Sequence, residues 1–167
     1  MTYVLIVLGV VFAAFAIVII YVVVTMIRGK KQNVVLFSPM LGVVTVDGVP
    51  AVGAKIERNL FWIYKKREID YVYTNENGEF NFGVKKDIFR VSPLSHFSIS
   101  QQLTVFYKNK VIEIWRYSKS DADEYTELGG KPVNFRCELT DEACRVGTKV
   151  GGVWTSCRWD DINEIAN

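Results

Sequence analysis

The sequence predicts a mainly β protein: a single N-terminal transmembrane helix followed by one antiparallel β-sandwich. Three observations carry that expectation. Residues 1–27 contain no charged side chain. Beyond residue 31 the chain breaks into short apolar or alternating runs, separated by turn residues every eight to twelve positions or so. No amphipathic helical segment of useful length and no internal repeat follows residue 31.

The stretch from Tyr3 to Ile27 is Val, Leu, Ile, Phe, Ala and Tyr almost throughout, with Gly9 and Thr25 the clear exceptions. At about 1.5 Å per residue it spans roughly 37 Å as a helix, more than the ~30 Å hydrocarbon core of a bilayer. A water-soluble fold would have to hide this whole cylinder. The apolar run exceeds the ~7–15 residues of a signal-peptide core, and no basic residue precedes it, so an uncleaved anchor is expected.

Arg28, Lys30 and Lys31 are the only charged side chains in residues 1–31. Removing them from the 20 basic residues leaves 17 against 18 acidic ones, a net charge of −1 for the rest of the chain. The nominal basicity is therefore juxtamembrane, and the remainder gives no support for nucleic-acid binding. Lys65-Lys66-Arg67 reads as a solvated turn. The division expected is an anchor with its basic flank over residues 1–31, a sandwich over 32–159 and an acidic tail over 160–167.

Two signals disagree on orientation. The basic cluster follows the span, which by the positive-inside rule puts the domain in the cytoplasm. Cys137, Cys144 and Cys157 sit close in sequence, and two of them could pair in an oxidising compartment. Three buried free thiols explain them equally well. The expectation leans to the cytoplasmic side.

The strands follow in order. Val34–Phe37 is an apolar run closed by Ser38-Pro39. Gly42–Val46 is β-branched and leads into Asp47-Gly48, a two-residue hairpin signal because both positions tolerate φ > 0. Pro50 marks an edge or turn, and Val52–Ile56 resumes as a strand. Asn59–Tyr64 is aromatic-rich and is interrupted by charge at Lys65–Glu68. Ile69, Tyr71 and Tyr73 alternate with Asp70 and Val72. Asn77-Gly78 is a second hairpin signal before Phe80 and Phe82. Val84–Ser100 reads as a long connection. Leu103, Val105 and Tyr107 alternate, Lys108-Asn109-Lys110 turns, and Val111–Tyr117 is the partner strand. Val133–Leu139 and Val153–Trp159 are the last strands.

Two segments carry a resemblance: Gly42-Val43-Val44-Thr45-Val46-Asp47-Gly48-Val49-Pro50-Ala51-Val52-Gly53-Ala54-Lys55-Ile56 and Thr74-Asn75-Glu76-Asn77-Gly78-Glu79-Phe80-Asn81-Phe82. Together they resemble the opening hairpin and third strand of carboxypeptidase-regulatory-like, transthyretin-like β-sandwich domains. With Phe37-Ser38-Pro39-Met40, Glu127-Leu128-Gly129-Gly130-Lys131-Pro132 and Cys137-Glu138-Leu139-Thr140, roughly residues 36–159 look like a bacterial domain-of-unknown-function family, DUF6795. That resemblance implies a fold and no activity. It also implies that Cys137 and Cys157 face each other, with Cys144 the extra thiol, and that the membrane is a bacterial inner membrane.

The chemistry-bearing residues suggest no enzyme. His96 is the lone histidine, set near Ser92, Ser95 and Ser98 without a Gly-x-Ser-x-Gly turn. Asp121, Asp123, Glu124 and Glu127 form an acidic cluster. Thr126 stands where a helix-loop-helix calcium loop needs Gly, and Pro132 where it needs Glu, so the cluster reads as a solvated loop. The cysteines are too widely spaced for a zinc knuckle. No metal and no cofactor are expected.

Aromatic residues are the remaining excess. Most must be core, because strands alternate and one face is buried. Trp115 and Tyr117 share the alternation of Glu113, and Trp154 that of Arg158. Exposed Trp, Tyr and Arg are common interface hot spots, so Trp115, Tyr117, Trp154 and Arg158 are the candidate binding residues. The expected function is a non-enzymatic protein-interaction module tethered to the membrane, in the manner of an immunity or accessory protein for a secreted antibacterial toxin. The alternative is a cell-envelope domain that binds sugar or peptidoglycan.

Overall fold

The computed structural model describes residues 2–63, 66–92, 96–148, 151–160 and 162–164. Its elements are α1 (Thr2–Arg28), β1 (Lys30–Phe37), β2 (Met40–Val46), β3 (Val49–Pro50), β4 (Lys55–Trp62), β5 (Lys66–Tyr73), β6 (Glu79–Phe82) and β7 (Lys85–Val91). They continue with β8 (Ile99–Tyr107), β9 (Lys110–Lys119), a 3₁₀ turn (Thr126–Leu128), β10 (Arg136–Glu138), β11 (Cys144–Thr148), β12 (Gly151–Thr155), β13 (Cys157–Arg158) and β14 (Asn163–Glu164). The chain divides into two compact units, one of residues 1–32 with 88–96 and one of the rest.

The first unit is built on α1. Its Ile6–Arg28 window has a mean hydropathy of 3.1 and no burial, so the helix is long and apolar enough to cross a membrane. Gly29 ends it at φ +63°, a left-handed turn that any Cβ would strain. A Cβ there would also lie 2.4 Å from the Val91 carbonyl oxygen. Ser92 Oγ donates to the Met26 carbonyl at 2.9 Å, satisfying one of the acceptors that a helix C-terminus leaves open. Arg90 donates to the Gly29 carbonyl at 3.2 Å.

The second unit holds two sheets. The larger has seven strands in the order β14-β11-β12-β9-β8-β4-β5, every neighbouring pair antiparallel. The smaller runs β13-β10-β2-β3, with β6 also paired to β2. Within it β10 lies parallel to β2, pairing Arg136 with Val43 and Glu138 with Thr45. Among the described strands of the sandwich, this is the one parallel ladder. β1 and β7 pair as a separate two-stranded sheet.

Turn chemistry sets the register. Asp47 and Gly48 take φ of +52° and +74°, and Val46 pairs with Val49, the two-residue hairpin that suits right-twisted strands. Lys108 and Asn109 repeat it between Tyr107 and Lys110. The core lies between the sheets. Phe80, Phe82, Phe135, Trp115 and Trp159 form a chain of ring contacts, with Phe37 packed edge-on to Phe82.

Several sequence expectations need correction. Val84–Ser100 is not one long connection, because it contains β7; the charges of Lys85, Lys86, Asp87 and Arg90 blur its alternation. Lys66 and Arg67 begin a strand rather than a turn, with Lys65 outside the described residues. Val52 and Gly53 form a turn, and the strand begins only at Lys55. Residues 160–167 are not all tail, since Asn163 and Glu164 pair with Gly147 and Val146. The final residues, 165–167, lie outside the described set.

Candidate functional site

Two buried charge clusters tie the inner side of the larger sheet together. Arg58, on β4, is 2 % exposed. It donates twice to Asp70 on β5, from Nε at 2.9 Å and Nη2 at 2.7 Å, and from Nη1 to the Gly83 carbonyl at 2.8 Å. Its guanidinium lies against both Phe37 and Phe82, 4.9 and 4.6 Å from their ring centroids. Burial pushes the Asp70 carboxyl up, but the hydrogen bonds and charges of Arg58 and Lys85 prevail and hold it below the usual range.

Lys119 forms the second cluster. Its ammonium is fully buried and meets Glu127 at 3.0 Å, Asp121 at 2.9 Å, the Thr126 hydroxyl and the Asp123 carbonyl. Glu127 is also fully buried; its other oxygen accepts from the Ser38 amide at 2.9 Å and Gln101 at 3.3 Å. Glu127 therefore does not belong to a solvated loop. The acidic stretch is drawn inward because it supplies the counter-charge for Lys119. The Tyr117 hydroxyl is pushed up by burial and by the nearby Asp121 and Glu127.

A third carboxylate organises the hairpin at the end of β2. Glu138 accepts from the Asp47 and Gly48 amides, the Thr45 hydroxyl, and the amide and hydroxyl of Thr140. Partial burial pushes its carboxyl up, but the hydrogen bonds from Thr140, Gly48 and Thr45 overwhelm that and bring it down to about 2.

The candidate binding residues do not come together. Trp115 is fully buried and Tyr117 nearly so. The cause is a β-bulge. Leu103 pairs with Trp115 while Thr104 pairs with Glu113, leaving Ile114 as an extra residue. That insertion turns Trp115 and Tyr117 to the side opposite Glu113. The freed Ile114 carbonyl accepts from the Thr155 hydroxyl at 2.6 Å and the Ser156 amide at 3.3 Å. Trp154 stands 44 % exposed on β12, but Arg158 belongs to the other sheet, because the chain crosses over at Ser156. Arg158 donates to the Cys157 carbonyl at 2.9 Å and the Cys144 sulfur at 3.1 Å.

Cys137 and Cys157 are disulfide-bonded, joining β10 to β13, and Cys144 is a free thiol. Arg28 closes α1, and Lys30 and Lys31 open β1, all three exposed. His96 is exposed, and Ser95 lies outside the described residues. Among the described residues no group of His, Cys, Asp or Glu could hold a metal ion.

The outer face of the larger sheet carries Trp154, which the sequence singled out, and on β5 a second exposed face, which it did not. On β5, Tyr71 and Tyr73 are 56 % and 61 % exposed, with their rings in edge contact at 5.7 Å. Ile69 is exposed on the same strand, Phe106 is exposed on β8 opposite Lys55, and Phe61 is exposed at the other end of β4, opposite Ser100. Lys55 lies over Tyr71 at 4.6 Å and Phe106 at 5.2 Å. Further across the sheet, one cross-strand row reads Gln102, Arg116, Trp154, Arg145. The alternation of Ile69, Tyr71 and Tyr73 was readable, but not its direction. Asp70 decides that, because it must reach Arg58 inside.

These features define a two-sheet β domain behind an apolar N-terminal helix, with an aromatic outer face. Residues 40–142 match the family model described as Domain of unknown function (DUF6795), and the chain belongs to that family. No curated protein and no solved structure gives a significant match.

Proposed function

We propose that this chain is a membrane-anchored, non-enzymatic protein-interaction module of the bacterial cell envelope. The observation that carries the reading is the exposed run of Ile69, Tyr71 and Tyr73 along β5, joined to Phe106 through Lys55. Contiguous exposed apolar surface commonly marks an interaction site, and Tyr is among the residues enriched at hot spots. Tethering by α1 raises the effective concentration of such a face beside a membrane target. An immunity or accessory role beside a secreted antibacterial toxin suits this arrangement by analogy of architecture.

The disulfide favours a second reading of the address. Stable disulfides belong to oxidising compartments, so the Cys137–Cys157 bond supports a domain outside the cytoplasm, against the basic flank. That side would suit an envelope-binding role.

Photo-crosslinking residues placed at Tyr71 and Tyr73 in the producing cell test the interaction face. One discrete protein adduct at both, absent at the exposed Val133, is expected. Labelling spread evenly over all three positions would dismiss the reading. A C-terminal alkaline phosphatase fusion tests the address: activity places the domain outside, and inactivity beside a working cytoplasmic reporter places it inside.

A further inference from the structure

A second outer-face feature lies on the β9–β12–β11 side of the larger sheet, away from the tyrosine patch. Ser100, Arg116, Ser118, Arg145, Gly152 and Trp154 line an open recess of about 310 Å³. Its form follows from the register. Ser100 pairs with Ser118, and Gly152 pairs with Gly147 on the neighbouring strands, so small residues make the floor. In the adjacent row, Arg116, Trp154 and Arg145 stand side by side on three strands and make the wall. Strands lie about 4.8 Å apart, so the indole is flanked closely by two guanidinium-bearing chains. Gly152 is part of the device. A Cβ there would lie 2.3 Å from Arg145 Nε, so its absence lets Arg145 lie across the floor.

The electrostatics are unbalanced. Arg116 is held by Glu113, with contacts of 2.8 and 2.9 Å. Arg145 has no carboxylate partner among the described residues. One guanidinium is thus left over in a recess that also offers the Ser100 and Ser118 hydroxyls; the latter lies 2.7 Å from Ser98 Oγ. A guanidinium is a fork suited to an oxyanion. An exposed indole offers a flat, electron-rich face for the C–H side of a pyranose ring. Serine hydroxyls donate to and accept from ring hydroxyls. The recess is at the small end of the range for ligand pockets, enough for about one sugar residue.

We infer that this recess binds an anionic sugar residue, with Trp154 as the stacking platform, Arg145 as the anion fork and Ser100 and Ser118 as hydroxyl partners. An acidic peptide fits less well, because it brings no flat C–H face for the indole and leaves the hydroxyl floor without partners. The site is separate from the Tyr71–Tyr73 patch, so either can fail alone.

The test uses the full chain in lipid nanodiscs, titrated by calorimetry with a β-linked glucuronate trimer, the glucose trimer of the same linkage, glucose 6-phosphate and hexaglutamate. Saturable binding of the glucuronate trimer or the sugar phosphate is expected, at least tenfold tighter than the neutral trimer and hexaglutamate. The tighter of the first two identifies whether carboxylate or phosphate supplies the charge. Arg145→Gln and Trp154→Ala should each weaken binding tenfold or more, and Val133→Ala, at an exposed residue outside both surfaces, should leave it unchanged. Gly152→Ala displaces a flexible side chain and should weaken binding in a folded protein. The inference is overturned if neither anionic sugar saturates, if the neutral trimer or hexaglutamate binds equally well, or if Arg145→Gln changes nothing.

Discussion

On the inner side of the seven-stranded sheet, Arg58 and Lys119 are buried among carboxylates, carbonyls and aromatic rings. On its outer side, Tyr71, Tyr73 and Trp154 stand in water, and Arg145 has no carboxylate partner among the described residues. Sheets with one solvated face usually keep charge on that face; here two cations sit among the apolar residues of the inner one. The difference separates two kinds of work. The inner charges are satisfied within the fold and serve to fix which strands meet. The outer aromatics contribute little to that and are available to a partner. Stability and binding should therefore respond to different substitutions.

The largest expected effects are inside. Lys119→Ala strands the fully buried Glu127 and should cost about 3–5 kcal/mol, the range for breaking a buried pair. Arg58→Ala should cost less, because Asp70 is partly exposed and keeps Lys85. Urea unfolding of the full chain, followed by tryptophan fluorescence, measures this. The double variant Lys119→Met/Glu127→Leu should recover much of the loss, since it leaves no fully buried charge unpaired and Asp121 is partly exposed. Two tryptophans sharpen the contrast further. Trp115→Ala should cost about 3–5 kcal/mol, whereas Trp154→Ala should change stability by about 0.5 kcal/mol or less. Equal losses would mean that the bulge at Ile114 does not turn Trp115 inward.

Next in size is the disulfide. Replacing both Cys137 and Cys157 with Ser should cost about 2–4 kcal/mol, while Cys144→Ser should cost little, both measured without reductant. Glu138 comes after it. Its folded value of about 2 lies below its ordinary 4.5, so its stabilisation is present above pH 4.5 and is lost as pH falls toward 2. Glu138→Gln should lower stability at neutral pH by about 1–2 kcal/mol and flatten the acid limb over that window. The smallest stability change, about 0.5 kcal/mol, is expected from Tyr71→Ala with Tyr73→Ala, which should nonetheless abolish the photo-crosslinked adduct made from Ile69.

Local chemistry made much of this fold readable. The Asp47-Gly48 and Lys108-Asn109 turns are specified by residues that accept positive φ. The alternation of Leu103 and Val105 gives the buried side of β8 directly. The errors share one cause, the assumption that a strand keeps its period and its sheet. One extra residue at Ile114 reverses the faces of Trp115 and Tyr117. The crossover at Ser156 parts Trp154 from Arg158. The tyrosine patch was visible as a face but not as an outer one, because its direction depends on Arg58, twelve residues from Asp70. Glu127 looked solvated because nothing local shows that Lys119 is buried.

The parallel ladder between β2 and β10 has a consequence for how the protein is made. Thr45 and Glu138, which meet there, are 93 residues apart. Synthesis delivers β2 well before β10, so after β3 and β6 have paired along one edge of β2 its other edge stays open until β10 emerges. Long loops close slowly, and an unfilled strand edge can recruit the wrong neighbour in the interval. Cys157 follows β10 in the chain, so the Cys137–Cys157 bond can close only after β2 has waited through that interval.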